Sequence, residues 1–438
     1  MNVGFVHLGC SKNLVDTEMA IGLFRANNFK IVNDVKEAEM IVINTCGFIE
    51  SAKQEAIDTI LEMAEYKKTG KCKYLIAMGC LVQRYLKDLE KTMPEVDLFI
   101  PINNYNQFWK EVQKLIPSNK SINQLDYLDR VIATGKTTAY LKIAEGCSNK
   151  CTYCAIPYIR GEFVSRTMED ILNEAKRLAK EGFKEIILIA QDTTKYGVDI
   201  YGEPKLHELL EKLCKIKEFK WVRFLYSYPE GITDELIKVV KNNDKICRYF
   251  DIPVQHVSDK VLKRMNRRTT KKDIENKVIK IKEEIPNAIL RTSLIVGFPG
   301  ETEEQFNELY EFVGKKYFDR IGVFEYSKED GTPAARLPEQ VHYKTKRRRY
   351  NKIMESQKEI SKEKLKEHIG KTYEVLVENA SFDNKYYIGR TYMDIPETDG
   401  VVYIKGSKKL ETGTWVKCKI TETKEYDLIA EKLEGKNG

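Results

Sequence analysis

Three cysteines lie within eight residues of one another, in the segment EGCSNKCTYCAIP that follows the apolar run TAYLKIA. They are Cys147, Cys151 and Cys154. Three thiolates in one loop can bind one side of a metal cluster, whereas tetrahedral zinc needs a fourth Cys or His. The nearest downstream histidine is His207. Three ligands on a four-iron cluster would leave one iron open to a small molecule; a zinc knuckle or core cysteines are the alternatives.

Three further cysteines are far apart in sequence but share one placement. Cys10, Cys46 and Cys80 each end a short apolar run, in VGFVHLGC, MIVINTC and KYLIAMGC. In a parallel sheet the carboxyl ends of the strands lie at one edge, where ligands bind. These thiols are therefore expected to converge on a second three-thiolate cluster site, although two of them could simply be buried small apolar side chains. The other four cysteines lack this placement and are predicted to be structural: Cys72, Cys214, Cys247 and Cys418.

Other residues at predicted strand ends are candidates for lining a pocket. GFPGET contains two glycines that permit close backbone approach, although such a turn is by itself only a weak signal. Polar pairs end two further apolar runs, and could line the pocket or merely form turns. The candidates are Gln191, Asp192, Gln255, His256, Gly297 and Gly300.

The elements that position these residues form an α/β protein of several domains. Residues 1–110 alternate β-rich runs with helical patterns, which predicts a parallel sheet with crossover helices. Residues 111–136 are polar and are predicted to be a linker. Residues 137–341 carry six β/α units, which favours an incomplete version of the eight-unit barrel over an open doubly wound sheet.

The C-terminal part changes pattern twice. Residues 342–370 read as a basic helical connector, and 342–369 carry ten Lys or Arg against four Glu. Such a stretch is usually a solvated face, with nucleic-acid contact as the alternative. Residues 371–438 hold five short alternating runs, which predict a small antiparallel β-barrel of the OB kind. Eleven Lys or Arg against twelve Asp or Glu make it nearly neutral.

Length and composition exclude several classes of protein. The 438 residues are 42% hydrophobic and 32% charged, with a net charge of +7. The mean hydropathy is -0.46. These values exclude a disordered, fibrous or membrane-spanning chain. The first ten residues lack the features of a secretory signal, so a cytoplasmic protein is expected. Cysteines in that compartment serve as metal ligands or catalytic groups more often than as disulfides.

The C-x-x-x-C-x-x-C spacing, with Tyr153 before the last cysteine, resembles the radical S-adenosylmethionine enzymes. The resemblance implies a [4Fe-4S] cluster on Cys147, Cys151 and Cys154 whose open iron binds adenosylmethionine. Electron transfer then cleaves the bound molecule to a 5′-deoxyadenosyl radical. GFPGET resembles the adenosylmethionine contact of that family. Tyr153 and the strand-end candidates above are accordingly expected to bind the cofactor.

Over essentially its full length the chain resembles the methylthiotransferases, and residues 371–438 look like their TRAM domain. The resemblance implies a second [4Fe-4S] cluster on Cys10, Cys46 and Cys80 that presents sulfur to a substrate radical. One adenosylmethionine would supply the methyl group and another the radical. HLGCSKNLVDTE and GRTYMDIPETDGVVYI look like the branch that modifies an aspartate β-carbon of small-subunit ribosomal protein S12.

The resemblance also implies partners, and two alternative functions stay open. Expected partners are ribosomal protein S12 or the small ribosomal subunit and an electron-donor protein, with a possible contact to ribosomal RNA and none to membranes. The enzyme rival is methylthiolation of a tRNA adenosine next to the anticodon. The branch of the family that modifies tRNA usually shows Gln-Met-Asn after its first cysteine, where this chain has Ser11, Lys12 and Asn13. The non-enzyme rival is an iron–sulfur RNA-binding or redox-sensing protein.

Overall fold

The structure, a computed structural model, describes residues 1–116, 125–381, 385–405 and 410–433. The chain divides into two compact units. The first unit comprises Met1–Asp192, Tyr196–Glu203 and Ser327–Arg336, and the second comprises Thr193–Lys195, Pro204–Tyr326 and Leu337–Gly438. No helix of the described residues is long and apolar enough to cross a membrane.

The first unit begins with a five-stranded sheet in which every pair of neighbours is parallel. Its strands are β1 (Asn2–His7), β2 (Lys30–Val32), β3 (Met40–Thr45), β4 (Tyr74–Gly79) and β5 (Leu98–Pro101), in the order β2-β1-β3-β4-β5. The helices are α1 (Ser11–Ala26), α2 (Glu50–Ala64), α3 (Tyr66–Thr69), α4 (Cys80–Thr92) and α5 (Phe108–Val112). The predicted parallel sheet is confirmed. Edge strands β2 and β5 were not evident from sequence because each spans only three or four residues.

Apolar side chains cover both faces of this sheet, because helices pack on both sides of it. Every residue of β3 is buried, as expected for a central parallel strand. One core cluster contains Ile41, Ile43 and Leu75, and the other contains Val42, Ile76 and Met78. The register pairs Asn44 with both His7 and Met78, so β1, β3 and β4 end side by side.

The rest of the first unit surrounds a parallel pair of strands. It contains β6 (Thr138–Lys142), β7 (Ala144–Glu145), α6 (Ile156–Arg160), β8 (Val164–Ser165), α7 (Met168–Lys180), β9 (Glu185–Ile189) and α8 (Val198–Tyr201). Strands β6 and β9 pair in parallel. The Thr167 hydroxyl accepts a hydrogen bond from the backbone N–H of Asp170 and caps α7.

Part of the predicted linker is anchored in the first unit. Residues 117–124 lie outside the described residues, whereas Arg130 is buried and its guanidinium pairs with Glu18 and Glu174. Its Nε lies 2.6 Å from the Glu174 carboxylate. A buried cation held by two carboxylates fixes the backbone around it, so this part of the segment is not a free tether.

The second unit contains the remaining central strands and their helices. They are β10 (Trp221–Phe224), β11 (Tyr249–Asp251), β12 (Ile289–Val296) and β13 (Arg320–Glu325), with α9 (Leu206–Cys214), α10 (Asp234–Asn242), α11 (Asp259–Arg264), α12 (Lys271–Glu284) and α13 (Glu303–Gly314). Strands β11, β12 and β13 form a parallel sheet in that order. Capping boxes start α12 and α13, through Thr270 with Asp273 and Thr302 with Gln305. All six strands predicted for residues 137–341 are therefore present.

The basic connector forms the helix α14 (Tyr343–Lys366). Much of its charge is neutralised within the second unit. Arg348 and Arg349 both pair with Glu303, and Arg347 pairs with Glu325. Lys364 lies 2.7 Å from the Asp319 carboxylate. These ion pairs attach the helix to its own unit.

The chain ends in a closed five-stranded barrel, as predicted. Its strands are β14 (Thr372–Ala380), β15 (Tyr386–Arg390), β16 (Val402–Lys405), β17 (Trp415–Thr423) and β18 (Leu428–Lys432). One pair, β16 with β18, is parallel rather than antiparallel. The reason is topological: β17 pairs with β14, and β18 returns antiparallel to β17 to fill the gap beside β16.

Buried polar contacts fasten the barrel domain to the other strands of the second unit. Asp399 accepts a 2.6 Å hydrogen bond from the hydroxyl of Tyr249, at the start of β11. Asp394 pairs at 2.9 Å with Arg320, at the start of β13. Arg291 lies 2.9 Å from Asp251 and 3.7 Å from Asp399. We call these six residues the barrel-anchoring network.

Candidate active site: two cysteine triads

The cysteines Cys10, Cys46 and Cys80, here the strand-end triad, follow three neighbouring parallel strands. Cys10 is the N-cap of α1, Cys46 follows β3, and Cys80 begins α4. Burial, together with the neighbouring charges of Cys10 and Cys46, raises the pKa of Cys80 to about 12. The three cysteines therefore lie near one another at one edge of the sheet, and their role as cluster ligands stays a prediction.

Glycines beside the cysteines permit this close approach. Gly9 has φ +94, and a Cβ there would lie 3.2 Å from the Cys46 sulfur. A Cβ on Gly47 would come within 2.7 Å of the backbone of Leu81, the residue after Cys80. Any larger side chain at either position would push the loops apart.

Asn13, in the first turn of α1, holds the strand-end triad together. Its Nδ2 donates to the carbonyl oxygens of Leu8 (3.2 Å) and Thr45 (2.9 Å), at the ends of β1 and β3. Its Oδ1 accepts a 3.3 Å hydrogen bond from the Cys80 thiol. One side chain therefore touches all three strand-end loops.

The cysteines Cys147, Cys151 and Cys154, here the loop triad, lie between β7 and α6. The N–H of Cys147 donates to Gly161 (3.1 Å), and the N–H of Cys154 donates to Cys151 (3.1 Å). Asn149 donates a 2.8 Å hydrogen bond to Asp192, which ties the loop to the end of β9. Burial raises the pKa of Cys154 to about 12, and the other two cysteines of the triad add to the rise.

The two triads are neighbours within the first unit. Cys80 packs against Ala155 and Ile159, and Ala155 directly follows Cys154. Arg84 on α4 donates to the carbonyl oxygen of Gly47 at 3.0 Å, next to Cys46. The positive charge of Arg84 also opposes the rise in the pKa of Cys154 that burial causes. Residues of each triad therefore lie against the surroundings of the other.

A buried set of charges lies beside this contact, and we call it the inter-triad network: Asp16, Lys142, Glu145 and Arg160. Lys142 lies 2.5 Å from Asp16 and 2.7 Å from Glu145. Arg160 lies 2.8 Å from Asp16 and 3.0 Å from Glu145. Although burial opposes its ionisation, the positive charges of Arg160 and Lys142 hold the pKa of Glu145 well below its usual range.

Three thiolates are the donor set of an iron–sulfur cluster that leaves one iron open. No three His, Cys, Asp or Glu side chains in the described parts of the chain converge closely enough to hold one metal ion. Zinc needs its ligands around one centre, whereas the thiolates of a four-iron cluster bind separate irons and stand further apart. In addition, Oε1 of Gln191 is buried and accepts no hydrogen bond from the described residues. Its Nε2 donates to Glu145 (3.1 Å), two residues before Cys147, so an acceptor stands unused beside the loop triad.

The other sequence-predicted site residues fall in both units. Tyr153, Gln191 and Asp192 lie in the first unit, and the remaining four lie in the second: Gln255, His256, Gly297 and Gly300. His256 is buried, and its ring faces Glu301 (3.4 Å) and accepts from the N–H of Ser258 (3.0 Å). Both glycines have φ +72, and the side chains of Lys346 and Arg264 cover them. Their contact with adenosylmethionine stays a prediction.

Sequence reasoning missed the polar residues that join the triads. Arg160 and Asn13 are 147 positions apart, and Asn13 and Cys80 are 67 apart. No spacing rule connects residues so distant. The usable signal was local: Asn13 lies one helical turn after Cys10, and Arg160 lies six residues after Cys154.

Comparison with known protein families matches three separate parts of the chain. Three family models match: the radical SAM superfamily over residues 141–313, uncharacterized protein family UPF0004 over 2–101, and the TRAM domain over 369–432. Among solved structures, a radical S-adenosylmethionine methyltransferase, TsrM, from Kitasatospora setae matches with a TM-score of 0.53 and 12% identity, covering 74% of this chain and 72% of that one. At that identity the likeness concerns the fold alone.

Full-length relatives are far more similar. The ribosomal protein uS12 methylthiotransferase RimO of Alkaliphilus oremlandii is 63% identical over 440 residues, with 100% of both chains covered. The protein of the same name from Clostridioides difficile is 50% identical, with 99% of both chains covered. With such identity along its whole length and a radical SAM domain at its centre, this chain belongs to the RimO family of radical SAM methylthiotransferases.

Proposed function

We propose that this chain adds a methylthio group to the β-carbon of an aspartate of ribosomal protein uS12. One adenosylmethionine serves as methyl donor and another as source of the 5′-deoxyadenosyl radical. The observation that carries the proposal is the contact between the triads, where Cys80 packs against Ala155 beside Cys154. Radical formation and sulfur delivery must occur next to each other, because the substrate radical has to meet sulfur before it is quenched. The names of the full-length relatives support uS12 as the substrate.

The radical SAM domain takes adenosylmethionine and a [4Fe-4S] cluster, which we assign to the loop triad. We assign a second [4Fe-4S] cluster to the strand-end triad, where it would supply the sulfur. The unused acceptor Oε1 of Gln191 supports a role in binding the cofactor. Tyr153 and Asp192 join it in this proposal, together with the four candidates of the second unit: Gln255, His256, Gly297 and Gly300.

The proposal includes the partners that the chemistry requires. An electron-donor protein would supply the reducing electron, and the reaction would take place in the cytoplasm. The substrate would be uS12, free or in the small ribosomal subunit. Contact with ribosomal RNA would involve α14, where the ion pairs to Glu303 and Glu325 leave less free charge than the sequence suggests.

The test separates the two triads. Cys151→Ala is expected to abolish both 5′-deoxyadenosine formation and methylthiolation. Cys46→Ala should retain measurable adenosylmethionine cleavage while losing product, because it alters only the strand-end triad. Cys214→Ala, a half-buried thiol on α9, is the matched control and should behave like the wild type.

The assay is anaerobic, with a uS12 aspartate-loop peptide and unmodified tRNA as competing substrates read by mass spectrometry. A methylthio mass gain on tRNA alone would identify tRNA as the substrate and leave the proposed chemistry unchanged. Loss of both activities to the same extent in an iron-loaded, folded Cys46→Ala protein would contradict the separate roles.

A further inference from the structure

Arg160 connects the two triads through its position and its contacts. It is the last residue of α6, which begins two residues after Cys154. Its side chain is 1% exposed, so it is isolated from water. From there its Nη2 lies 3.5 Å from the sulfur of Cys80, in the other triad.

The guanidinium is fixed by partners on both of its arms. Nη1 donates to Glu145 at 3.0 Å, and Nη2 donates to Asp16 at 2.8 Å. Nη2 also donates to Oδ1 of Asn13, the residue that touches all three strand-end loops. Lys142 bridges the two carboxylates and so fixes them in turn. A planar fork held in this way cannot turn away from Cys80 without breaking several buried contacts.

We propose that Arg160 is a positioning residue that holds Cys80 and raises the reduction potential of the cluster bound by the strand-end triad. The inference rests on the proposed function, because it requires a cluster at that triad. The physical reason is electrostatic. A positive N–H donor beside a ligating sulfur stabilises the reduced cluster, which carries one more negative charge. Burial strengthens the effect because no water screens the charge.

The experiment measures the potential rather than turnover. In the full-length chain, Cys147, Cys151 and Cys154 are replaced by Ala, so that only the strand-end triad can bind a cluster. The protein is reconstituted anaerobically, iron and sulfide are counted, and the cluster is titrated by electron paramagnetic resonance. Arg160→Met should lower the ratio of reduced to oxidised cluster about tenfold at a fixed potential, which equals a shift of about 59 mV for one electron. Arg160→Lys, which retains the charge, should shift the potential less.

Arg166→Met is the matched control. Arg166 lies in the same unit and pairs at 2.7 Å with Asp170 and at 2.5 Å with Glu174, so its loss also leaves carboxylates without a partner. The expected shift for this variant is zero. An equal shift of the reduction potential in Arg166→Met, or no shift in an iron-loaded Arg160→Met, would overturn the inference about Arg160 without contradicting the presence of the cluster. Should Arg160→Met not fold, Arg160→Gln takes its place because it also removes the charge, and a potential for Arg160→Gln identical to that of the parent protein would overturn the inference as well. Failure of the parent protein itself to bind iron would overturn the second cluster, and the inference with it.

Discussion

Both units bury a network of ion pairs, yet the two networks serve different ends. In the first unit, Asp16, Lys142, Glu145 and Arg160 alternate in sign, and Arg160 reaches a thiol. In the second unit, the barrel-anchoring network joins the start of β11 and of β13 to the segment between β15 and β16. The contacts that define it join carboxylates to guanidinium groups and to a tyrosine hydroxyl, and not to a cysteine.

Buried charge therefore has to be interpreted from the groups that lie beside it. Desolvation of two ions costs about as much as their attraction returns, so a buried pair is weak evidence for stability alone. The barrel-anchoring network fixes where one β-rich element attaches. The inter-triad network lies against residues whose chemistry depends on local charge. We therefore expect substitutions in the barrel-anchoring network to lower stability. Substitutions in the inter-triad network should lower activity by more than any loss of stability explains.

The largest expected effect on stability is that of Asp394→Ala. The change leaves Arg320, whose side chain is only 11% exposed, without its 2.9 Å carboxylate partner. Such a loss costs about 3–5 kcal/mol. Thermal unfolding should therefore begin at a markedly lower temperature. Cleavage of adenosylmethionine per folded molecule should stay at the wild-type level well below that temperature.

The control for this change is Glu374→Ala, also in the barrel domain. Glu374 pairs with Lys220 at 2.7 Å, but both side chains are more than a third exposed. Exposed pairs contribute about 0–1 kcal/mol, so this variant should unfold like the wild type. A comparable loss in both variants would mean that burial does not distinguish the two ion pairs.

Much of the fold and the triads could be predicted from the sequence. Parallel strands end at one edge, so the common placement of Cys10, Cys46 and Cys80 was sufficient to predict their convergence. Alternating apolar residues likewise predicted the five barrel strands. The cap on α7 at Thr167 is a contact of the same accessible kind, because capping depends on neighbours three residues apart.

The polar contacts between distant elements could not be predicted in this way. Arg160 meets Asp16 across 144 positions, and Tyr249 meets Asp399 across 150. A charged residue in a sequence is usually solvent-exposed, and only the packed structure shows which ones are buried in pairs. For the same reason the basic pattern of 342–369 did not reveal that Arg348 and Arg349 bind Glu303.

The next effect concerns activity, and Glu145→Gln tests it. Glutamine keeps the shape but removes the charge that faces Lys142 and Arg160. The stability loss should be about 1–3 kcal/mol, the cost of weakening a buried hydrogen-bonded group. Methylthio product should fall at least tenfold at a temperature where the protein is folded. Glu174→Gln, a buried carboxylate that pairs with Arg130 and Arg166, provides the control: a similar stability loss with wild-type product formation. Equal activity losses in the two variants would show that the loss of product is not specific to the inter-triad network.

The smallest change in stability is expected at Glu303, a partly exposed carboxylate that pairs with two arginines. Hydrogen bonds from Arg348 and Arg349 lower the pKa of Glu303 to about 2, from an ordinary value of 4.5. A carboxyl group with a depressed pKa stabilises the fold above pH 4.5, and this contribution disappears as the pH falls through about 2.

Glu303→Gln should therefore lower the urea midpoint slightly at neutral pH, and the difference from the wild type should vanish toward pH 2. Because the Glu303 side chain is 43% exposed, added salt should shrink the difference as well. Glu304→Gln is the control from the same helical turn, since backbone and Thr302 hydrogen bonds, not an arginine, lower its pKa. If the difference in urea midpoint between Glu303→Gln and the wild type depended on neither pH nor salt, the attachment of α14 to α13 would rest on the shape of the side chain and not on its charge.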